Sequence, residues 1–268
     1  MREEKIINER NRPPLGVGGV TKFIIFTTQR SGSTVLTRTL DEHPEIFCAG
    51  ELFQTSEEMH HPEWHFASWG LNSTSHTMQR LNKIINYPNV RFRSIPHIKK
   101  FYAANEKGEK ARGFKLMFTQ IKTAPHLWEY LKQTNTKVIV LVRNNVFKTT
   151  LSRYRKAENR VAHTVSIEAP SIQFYVPGEK LVAQMRELER VNKNLSRFTE
   201  GMQRLVINYE DFSDWNSLMQ KVQIFLNVTP IPMKPVLQKV GAMRWQDEVE
   251  NFSEIEQILK QNNFTQYL

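Results

Sequence analysis

The segment TTQRSGST, residues 27–34, combines small, hydroxylated and basic side chains in a pattern suited to phosphate binding. It lies between a predicted strand and a predicted helix, where backbone N–H groups and the positive end of the helix dipole can surround an anion. Gly32 permits close approach of the backbone, and the hydroxyls of Ser33 and Thr34 add donors. Arg30 supplies a guanidinium that can bind two oxygens at once. We interpret this segment as a phosphate-binding loop; the alternative is a Ser/Gly turn that caps a helix.

This loop departs from the nucleotide-triphosphatase pattern GxxxxGK[ST]. When the two are aligned on Gly32, Thr27 replaces the first Gly and Ser33 replaces the Lys that reaches the terminal phosphates. The strand KVIVLVR ends in Arg143, and no strand ends in an aspartate placed to hold magnesium. A phosphate loop without this apparatus indicates a donor whose transferred group is less charged than phosphoryl.

The elements around the loop predict an α/β fold, because short β-branched or aromatic runs alternate with stretches of helical period. We expect a P-loop-like three-layer fold with a central, mainly parallel sheet flanked by helices. Predicted strands cover residues 22–28, 46–50, 113–118, 137–143 and 204–209. Predicted helices cover residues 33–42, 123–133, 145–162, 178–198, 211–225 and 254–260. Residues 54–110 are less regular, as is common for segments that build a substrate pocket.

Composition limits the remaining possibilities. The chain has 268 residues, 37 Lys and Arg against 27 Asp and Glu, a formal charge of +10 and a single cysteine. We expect a flexible segment at residues 1–20 and one domain at residues 21–268. The apolar runs are too short to span a bilayer, and the first residues do not resemble a signal peptide. Because Cys48 is the single cysteine, it cannot form an internal disulfide, which agrees with a reducing compartment. We therefore expect a cytoplasmic protein in which Cys48 packs in the core. The positive charge favours anionic ligands without naming one.

The stretch TTQRSGSTVLTRTLDEHPEIFCAGELF resembles the phosphate loop, helix and following acidic position of sulfotransferases that use 3'-phosphoadenosine 5'-phosphosulfate (PAPS). RSGST, DEHPE and GE are especially similar to the tyrosylprotein and the carbohydrate or lipid branches. The resemblance implies that the loop, with Ser31 among its residues, binds the 5'-phosphosulfate. It also implies that Arg143 and Ser152, in VIVLVRNNVFKTTLSRYRKA, bind the 3'-phosphate. The segments GFKLMFTQ, INYEDF and VENFSEIEQILKQNNFTQYL are similar to other parts of the family.

The same resemblance implies catalytic roles. Glu51 is the candidate base that removes the acceptor proton, Arg30 would stabilise the leaving phosphate, and Lys115 would be a second cation. A histidine base is the competing hypothesis, with the candidates His60, His61, His65, His97 and His126. Lys239 and Arg244 precede the C-terminal helix, where such enzymes often place a basic loop over the 3'-phosphate.

These residues predict a sulfotransferase that needs no metal. His60, His61 and His65 also suggest zinc, but without cysteine partners or a matched second pair we expect no metal site. The resemblance implies a hydroxyl or amine acceptor on a carbohydrate, glycolipid or small polar metabolite. The aromatic residues of WHFASW, residues 64–69, either stack on a sugar face or planar group of the acceptor or simply pack within the fold. The alternatives are a kinase or nucleotide triphosphatase of the same fold, and a basic nucleic-acid-binding module. Against the latter, the basic residues are dispersed and no nucleic-acid-binding motif is found.

Overall fold

The computed structural model describes residues 19–53, 60–66, 91–159, 173–237 and 245–268. The predicted flexible segment therefore lies almost wholly outside the described residues. Among the helices described, none is both long enough and apolar enough to cross a membrane.

Five parallel strands form one sheet in the order β2-β3-β1-β4-β5. Their bounds are Thr21–Thr27 for β1, Ile46–Glu51 for β2, Ala111–Met117 for β3, Lys137–Val142 for β4 and Arg204–Asn208 for β5. All five strands were predicted, each within two residues at either end. The first four are almost entirely buried, as expected of parallel strands covered on both faces. The predicted α/β fold with a parallel sheet flanked by helices is confirmed.

Nine helices accompany the strands in the part of the chain that is described. They are α1 (Ser33–Asp41), α2 (residues 91–103), α3 (Phe118–Thr123), α4 (Pro125–Gln133), α5 (Val146–Asn159), α6 (Gly178–Phe198), α7 (Trp215–Phe225), α8 (Trp245–Glu248) and α9 (Phe252–Gln261). Short 3-10 turns span Pro62–Trp64, Tyr209–Asp214 and Thr265–Tyr267.

Two helical predictions differ from the structure, and two described helices, α2 and α8, were not predicted. The segment predicted as one helix over residues 123–133 contains the end of α3 and the whole of α4, which are separated at Ala124 because Pro125 begins the second helix. The helix predicted from residue 211 begins at Trp215, where the Asp214 side chain accepts from the Ser217 N–H and caps it. Helix α2 was not predicted; Ile98, Phe101 and Tyr102 are its buried face, but the many basic and polar residues around them hide the helical period.

The helices cover the sheet on both faces. On one face α1 and α7 pack against Ile25, Ile139 and Ile207. On the other face α2, α4 and the end of α6 pack against Ile24, Phe26 and neighbouring strand residues. A third apolar cluster joins α5, α6 and α9. These layers leave the carboxyl ends of the strands at one edge of the sheet.

A fully buried arginine, Arg112 on β3, lies among aromatic rings near β2. Its guanidinium carbon is 3.9 Å from the ring centroid of Phe47, 4.7 Å from that of Phe101 and 4.9 Å from that of Trp64. Its charge is paired with the buried carboxylate of Glu109. Cation–π attraction and this ion pair together offset the cost of burying the charge. Trp64 and the turn that carries it are thereby held against the sheet.

Close packing at Gly113 of β3 makes it sensitive to substitution. A methyl group there would lie 2.5 Å from three ring carbons of Phe23, which is fully buried. We expect Gly113→Ala to lower the free energy of unfolding by about 1–3 kcal/mol because the core must shift to accept the methyl group. Denaturant unfolding measures this loss. The control is Gly19→Ala, where no atom lies within 4 Å of the added methyl; equal stability of the two variants would contradict the packing described here.

Candidate active site

The candidate site lies between the carboxyl ends of β1 and β4, where the strand order changes direction. The chain leaves β1 through α1 and reaches β2 on one side of the sheet, whereas it leaves β4 through α5 and α6 and reaches β5 on the other. Ligands of open α/β sheets bind in the crevice formed at such a point. Thr27 and Leu141 are paired across these two strands, and the Thr27 hydroxyl lies 2.7 Å from the Leu141 carbonyl oxygen.

The predicted phosphate loop follows β1 and turns sharply into α1. Arg30 and Gly32 both have positive φ, 66° and 83°, and the Ser31 hydroxyl lies 2.6 Å from that of Thr27. The first helical hydrogen bond runs from the Val35 N–H to the Gly32 carbonyl, at 3.1 Å. The backbone N–H groups of Ser33 and Thr34 precede that bond, and no side chain caps the helix. They are therefore available to an anion, as the sequence predicted.

The ring of Tyr209 packs against Gly32 of the phosphate loop. A methyl group at Gly32 would lie 2.6 Å from Cδ2 of Tyr209 and 3.1 Å from Cε2 of Phe212. Only glycine fits here, because the position combines a positive φ with direct contact against an aromatic ring. Tyr209 also lies against the guanidinium of Arg143, with 4.4 Å between the guanidinium carbon and the ring centroid.

Direct hydrogen bonds join the residues predicted to hold the two ends of a nucleotide. The Arg30 Nε donates to the Ser152 hydroxyl at 2.9 Å, and the Arg143 Nη1 donates to the Arg30 carbonyl at 3.1 Å. The carbonyl of Arg143 in turn accepts from the Asn192 side chain of α6 at 2.9 Å. Arg30, Arg143 and Ser152 thus lie together in the crevice between β1 and β4.

Positive charge is concentrated in this crevice. Burial lowers the pKa of Arg30, and the charges of Arg143 and Arg155 lower it further. Burial likewise lowers the pKa of Arg143. Tyr209 and Glu210 act to raise this pKa, and the charge of Arg155 acts to lower it. Arg155 is paired with Glu248. Three mutually repelling guanidinium groups would be stabilised by a bound dianion.

The loop that follows β4 is held by the INYEDF segment. The carboxylate of Glu210 accepts from the backbone N–H of Asn144 at 3.3 Å and from that of Asn145 at 3.1 Å. The Asn144 side chain donates to Asn208 at 3.0 Å. These bonds fix the start of α5, which carries Ser152 and Arg155.

Glu51 and Lys115 form a second, adjacent group at the ends of β2 and β3. Lys115 Nζ lies 3.0 Å from Glu51 Oε1, and both side chains are only about a tenth exposed. Gln120 donates to the other oxygen, Oε2, at 3.3 Å. The two predicted catalytic residues are thus in direct contact.

A β-bulge at Gly50 creates this contact. Cys48 pairs with Gly113 and Ala49 with Phe114, but the next pair is Glu51 with Lys115 because Gly50 is left out of the ladder. The extra residue turns Glu51 to the face on which Lys115 lies, the face covered by α1. Glycine inside a strand is a recognisable signal for such a bulge, but the sequence analysis did not use it.

The histidines proposed as alternative bases have structural partners. His60 and His61 bind Asp41, His97 lies 2.8 Å from the Trp64 carbonyl and His126 lies 2.9 Å from the Ser94 hydroxyl. Burial lowers the pKa of His97 and of His126. The remaining candidate, His65, follows the 3-10 turn at Pro62–Trp64.

Other predicted residues lie in the core or outside the described chain. Cys48 is fully buried, as predicted. Trp64 and Phe66 of WHFASW are also buried, which supports packing for these two residues. Lys239, Arg244 and Trp69 lie outside the described residues.

Sequence reasoning missed four side chains that complete the two groups. Tyr209 lies against Gly32 and Arg143, Asn192 binds the Arg143 carbonyl, Arg155 adds charge to the crevice, and Gln120 binds Glu51. INYEDF had been noted only as a similar segment. Tyr209 follows β5 directly and was therefore recognisable as a residue at the same edge of the sheet.

Three solved structures resemble this chain. A sulfotransferase from Alicyclobacillus acidocaldarius is 17% identical, with a TM-score of 0.47, and the alignment covers 90% of this chain and 94% of that one. A sulfotransferase domain from the curacin biosynthetic pathway is 17% identical, with a TM-score of 0.46 and coverage of 92% and 99%. A sulfotransferase domain from the Synechococcus PCC 7002 olefin synthase is 18% identical, with a TM-score of 0.45 and coverage of 82% and 78%.

No curated protein matches the chain at a significant level. The model of one protein family, described as the sulfotransferase family, matches residues 23–230. That match covers well over half of the sequence, from β1 to the segment after α7, and it includes both groups of candidate site residues. The resemblance carried by the RSGST loop is thereby confirmed, and the chain belongs to the sulfotransferase family.

Proposed function

We propose that this protein transfers a sulfuryl group from PAPS to a hydroxyl or amine of a carbohydrate, glycolipid or small polar metabolite. The observation that carries the proposal is the crevice between β1 and β4. There, the partly buried guanidinium groups of Arg30 and Arg143 lie near an uncapped helix N-terminus, so that two separate phosphate groups of one nucleotide can be neutralised.

In this proposal the loop and Arg143 bind opposite ends of the nucleotide. The N–H groups of Ser33 and Thr34 bind the 5'-phosphosulfate, while Arg143 and Ser152 bind the 3'-phosphate. Arg30 connects the two ends, because its backbone belongs to the loop and its Nε contacts the Ser152 hydroxyl. Lys239 and Arg244 are proposed to add positive charge over the 3'-phosphate.

Transfer proceeds by in-line displacement at sulfur. Glu51 accepts the proton of the acceptor hydroxyl, and the acceptor oxygen forms a bond to sulfur as the bond from sulfur to the bridging phosphate oxygen breaks. The electron pair of the broken bond stays on the phosphate oxygen, so adenosine 3',5'-bisphosphate leaves. Arg30 and the loop N–H groups stabilise the charge on this leaving group.

The contacts of Glu51 assign different tasks to its two oxygens. Oε1 is held by Lys115, and Oε2 has the longer contact from Gln120, so Oε2 is the oxygen that accepts the proton. Once Glu51 is protonated, its attraction for the Lys115 ammonium weakens. Lys115 can then interact with the sulfuryl oxygens, which develop charge during transfer. No metal takes part in these steps.

Packing supports one domain over residues 21–268. Helix α9, near the end of the chain, shares an apolar cluster with α5 and α6, and α6 also packs on the sheet.

The acceptor is proposed to enter beside Glu51, between the strand ends and the segment that follows β2. Labelled PAPS supplied with a cell extract would identify the molecule that acquires sulfate.

The donor proposal predicts nucleotide binding without metal. We expect adenosine 3',5'-bisphosphate to bind in the presence of EDTA, because arginines and backbone N–H groups supply the positive charge. Isothermal titration calorimetry measures the affinity. Magnesium-dependent ATP binding in place of bisphosphate binding would favour the kinase alternative. Oligonucleotide binding with a steep salt dependence and no bisphosphate binding would favour the nucleic-acid alternative.

Arg143 provides the sharpest test of the crevice. We expect Arg143→Ala to weaken bisphosphate binding about 10- to 100-fold, the range for losing a charge-assisted hydrogen bond to phosphate. Calorimetry on the folded variant measures the change. The matched control is Arg190→Ala, since Arg190 is paired with Glu187 on the exposed side of α6. Equal affinities of both variants would remove Arg143 from the nucleotide site.

Glu51→Gln separates chemistry from binding. The amide keeps the size of the side chain but cannot accept the acceptor proton, so we expect turnover to fall about 100-fold or more while bisphosphate affinity is retained. Sulfate transfer from labelled PAPS measures turnover. Glu129→Gln is the matched control, because Glu129 is also paired with a lysine but is exposed on α4. Its Oε1 lies 3.9 Å from Lys132 Nζ. Unchanged turnover of Glu51→Gln would exclude Glu51 as the base.

A further inference from the structure

Three side chains with metal-binding atoms converge beside β2, outside the nucleotide crevice. Asp41 is the last residue of α1, and His60 and His61 precede the 3-10 turn at Pro62–Trp64. Asp41 Oδ2 lies 2.7 Å from His60 Nε2 and 2.8 Å from His61 Nε2. All three ligand atoms lie within 4.8 Å of one another. The sequence analysis had set aside a zinc site because it found no partner for the histidines; the partner is Asp41, 19 residues before His60 in the chain.

Both ring nitrogens of His61 lie against carboxylate oxygens. Its Nδ1 lies 2.9 Å from Glu63 Oε1, and its Nε2 lies 2.8 Å from Asp41 Oδ2. A neutral imidazole donates from one nitrogen only, so if Nδ1 donates to Glu63, Nε2 directs a lone pair at the Asp41 oxygen. In that arrangement both atoms could bind one metal ion placed between them.

The surroundings of these atoms are those of a metal site. Glu63 on Nδ1 of His61 forms the carboxylate–histidine arrangement that orients imidazole ligands and raises their basicity. The other oxygen of Asp41, Oδ1, accepts from the Cys48 backbone N–H at 2.9 Å, which fixes the carboxylate. The exposed fractions of the His60, His61 and Asp41 side chains are 33%, 18% and 9%. An ion can therefore reach the site from solvent and keep a water molecule as a fourth ligand.

We propose that Asp41 Oδ2, His60 Nε2 and His61 Nε2 bind one divalent ion of the zinc class. Two imidazoles and one carboxylate form a nitrogen-rich ligand set that favours zinc over magnesium or calcium, which prefer oxygen ligands. Tetrahedral zinc with bonds of about 2.0 Å needs ligand atoms about 3.3 Å apart, so the contacts must lengthen by about half an ångström. Small rotations of the His60 and His61 rings, both of which are partly exposed, would provide this change.

The ion has a structural role in this proposal, and sulfuryl transfer does not pass through it. His60 contacts Gly50, where an added methyl group would lie 3.5 Å from the His60 carbonyl oxygen. The ion would thus connect α1, the bulge that orients Glu51, and the turn that carries Trp64. Neither the choice of donor nor the role of Glu51 enters this inference.

Metal binding to the full-length chain tests the proposal. The protein is produced without a polyhistidine tag, stripped with EDTA and dialysed against ZnCl2 at pH 7.5. We expect one equivalent of zinc to bind and the melting temperature to rise by about 5 °C at a hundredfold excess over the dissociation constant. His60→Ala and His61→Asn should lose both effects; Asn suits position 61 because His61 has a positive φ of 60°. The control His65→Ala should keep both.

Cobalt substitution supplies a second measurement that needs no variant. In the wild-type protein, Co²⁺ should give visible bands of a four-coordinate nitrogen and oxygen site, without the intense near-ultraviolet band of a thiolate ligand. A thiolate band would place the ion at Cys48 and overturn the proposal. So would the absence of stoichiometric zinc binding, or zinc binding that survives both His60→Ala and His61→Asn. In either of these last two cases, a shared proton would account for the contacts of His61.

Discussion

The crowding of partly buried guanidinium groups is the constraint around which the crevice between β1 and β4 is built. Burial lowers the pKa of Arg30 and of Arg143, and the charge of Arg155 lowers both further. Each guanidinium group has a contact that offsets part of the cost of holding these charges together. Arg30 donates to the Ser152 hydroxyl, Arg143 lies against the Tyr209 ring and Arg155 is paired with Glu248. These contacts come from different parts of the chain, so the site requires the whole α/β layer structure. The remaining positive potential suits a ligand with two phosphate groups.

A parallel sheet makes this concentration of charge possible. Because all five strands run in the same direction, the segments after β1, β4 and β5 emerge at one edge. The connections after β1 and β4 run to opposite sides of the sheet, and a crevice forms between two such strand ends. Glu51 and Lys115 occupy the ends of the two strands on the other side of β1, so the proposed base lies beside the proposed donor site without sharing its hydrogen bonds.

Local pattern in the sequence was sufficient for the strands and for most of the helices. Apolar β-branched runs mark buried strands whatever their partners, and RSGST was correctly placed in a tight loop between a strand and a helix. The features that were missed depend on contacts between distant segments. The Tyr209 contact with Gly32 joins residues 177 positions apart, and the pairing of Asp41 with His60 requires the end of α1 to meet the segment after β2. The bulge at Gly50 also depends on alignment with β3. No local period encodes these contacts.

The contact between Tyr209 and Gly32 has a consequence for biosynthesis. The ribosome makes the loop after β1 before it makes the ring that packs against it, because Tyr209 follows Gly32 by 177 residues. Until β5 has left the exit tunnel and joined the sheet, a nascent chain has the loop sequence without the support that holds Gly32 and Arg143 in place. A ligand of this crevice could therefore support folding only after β5 has joined the sheet.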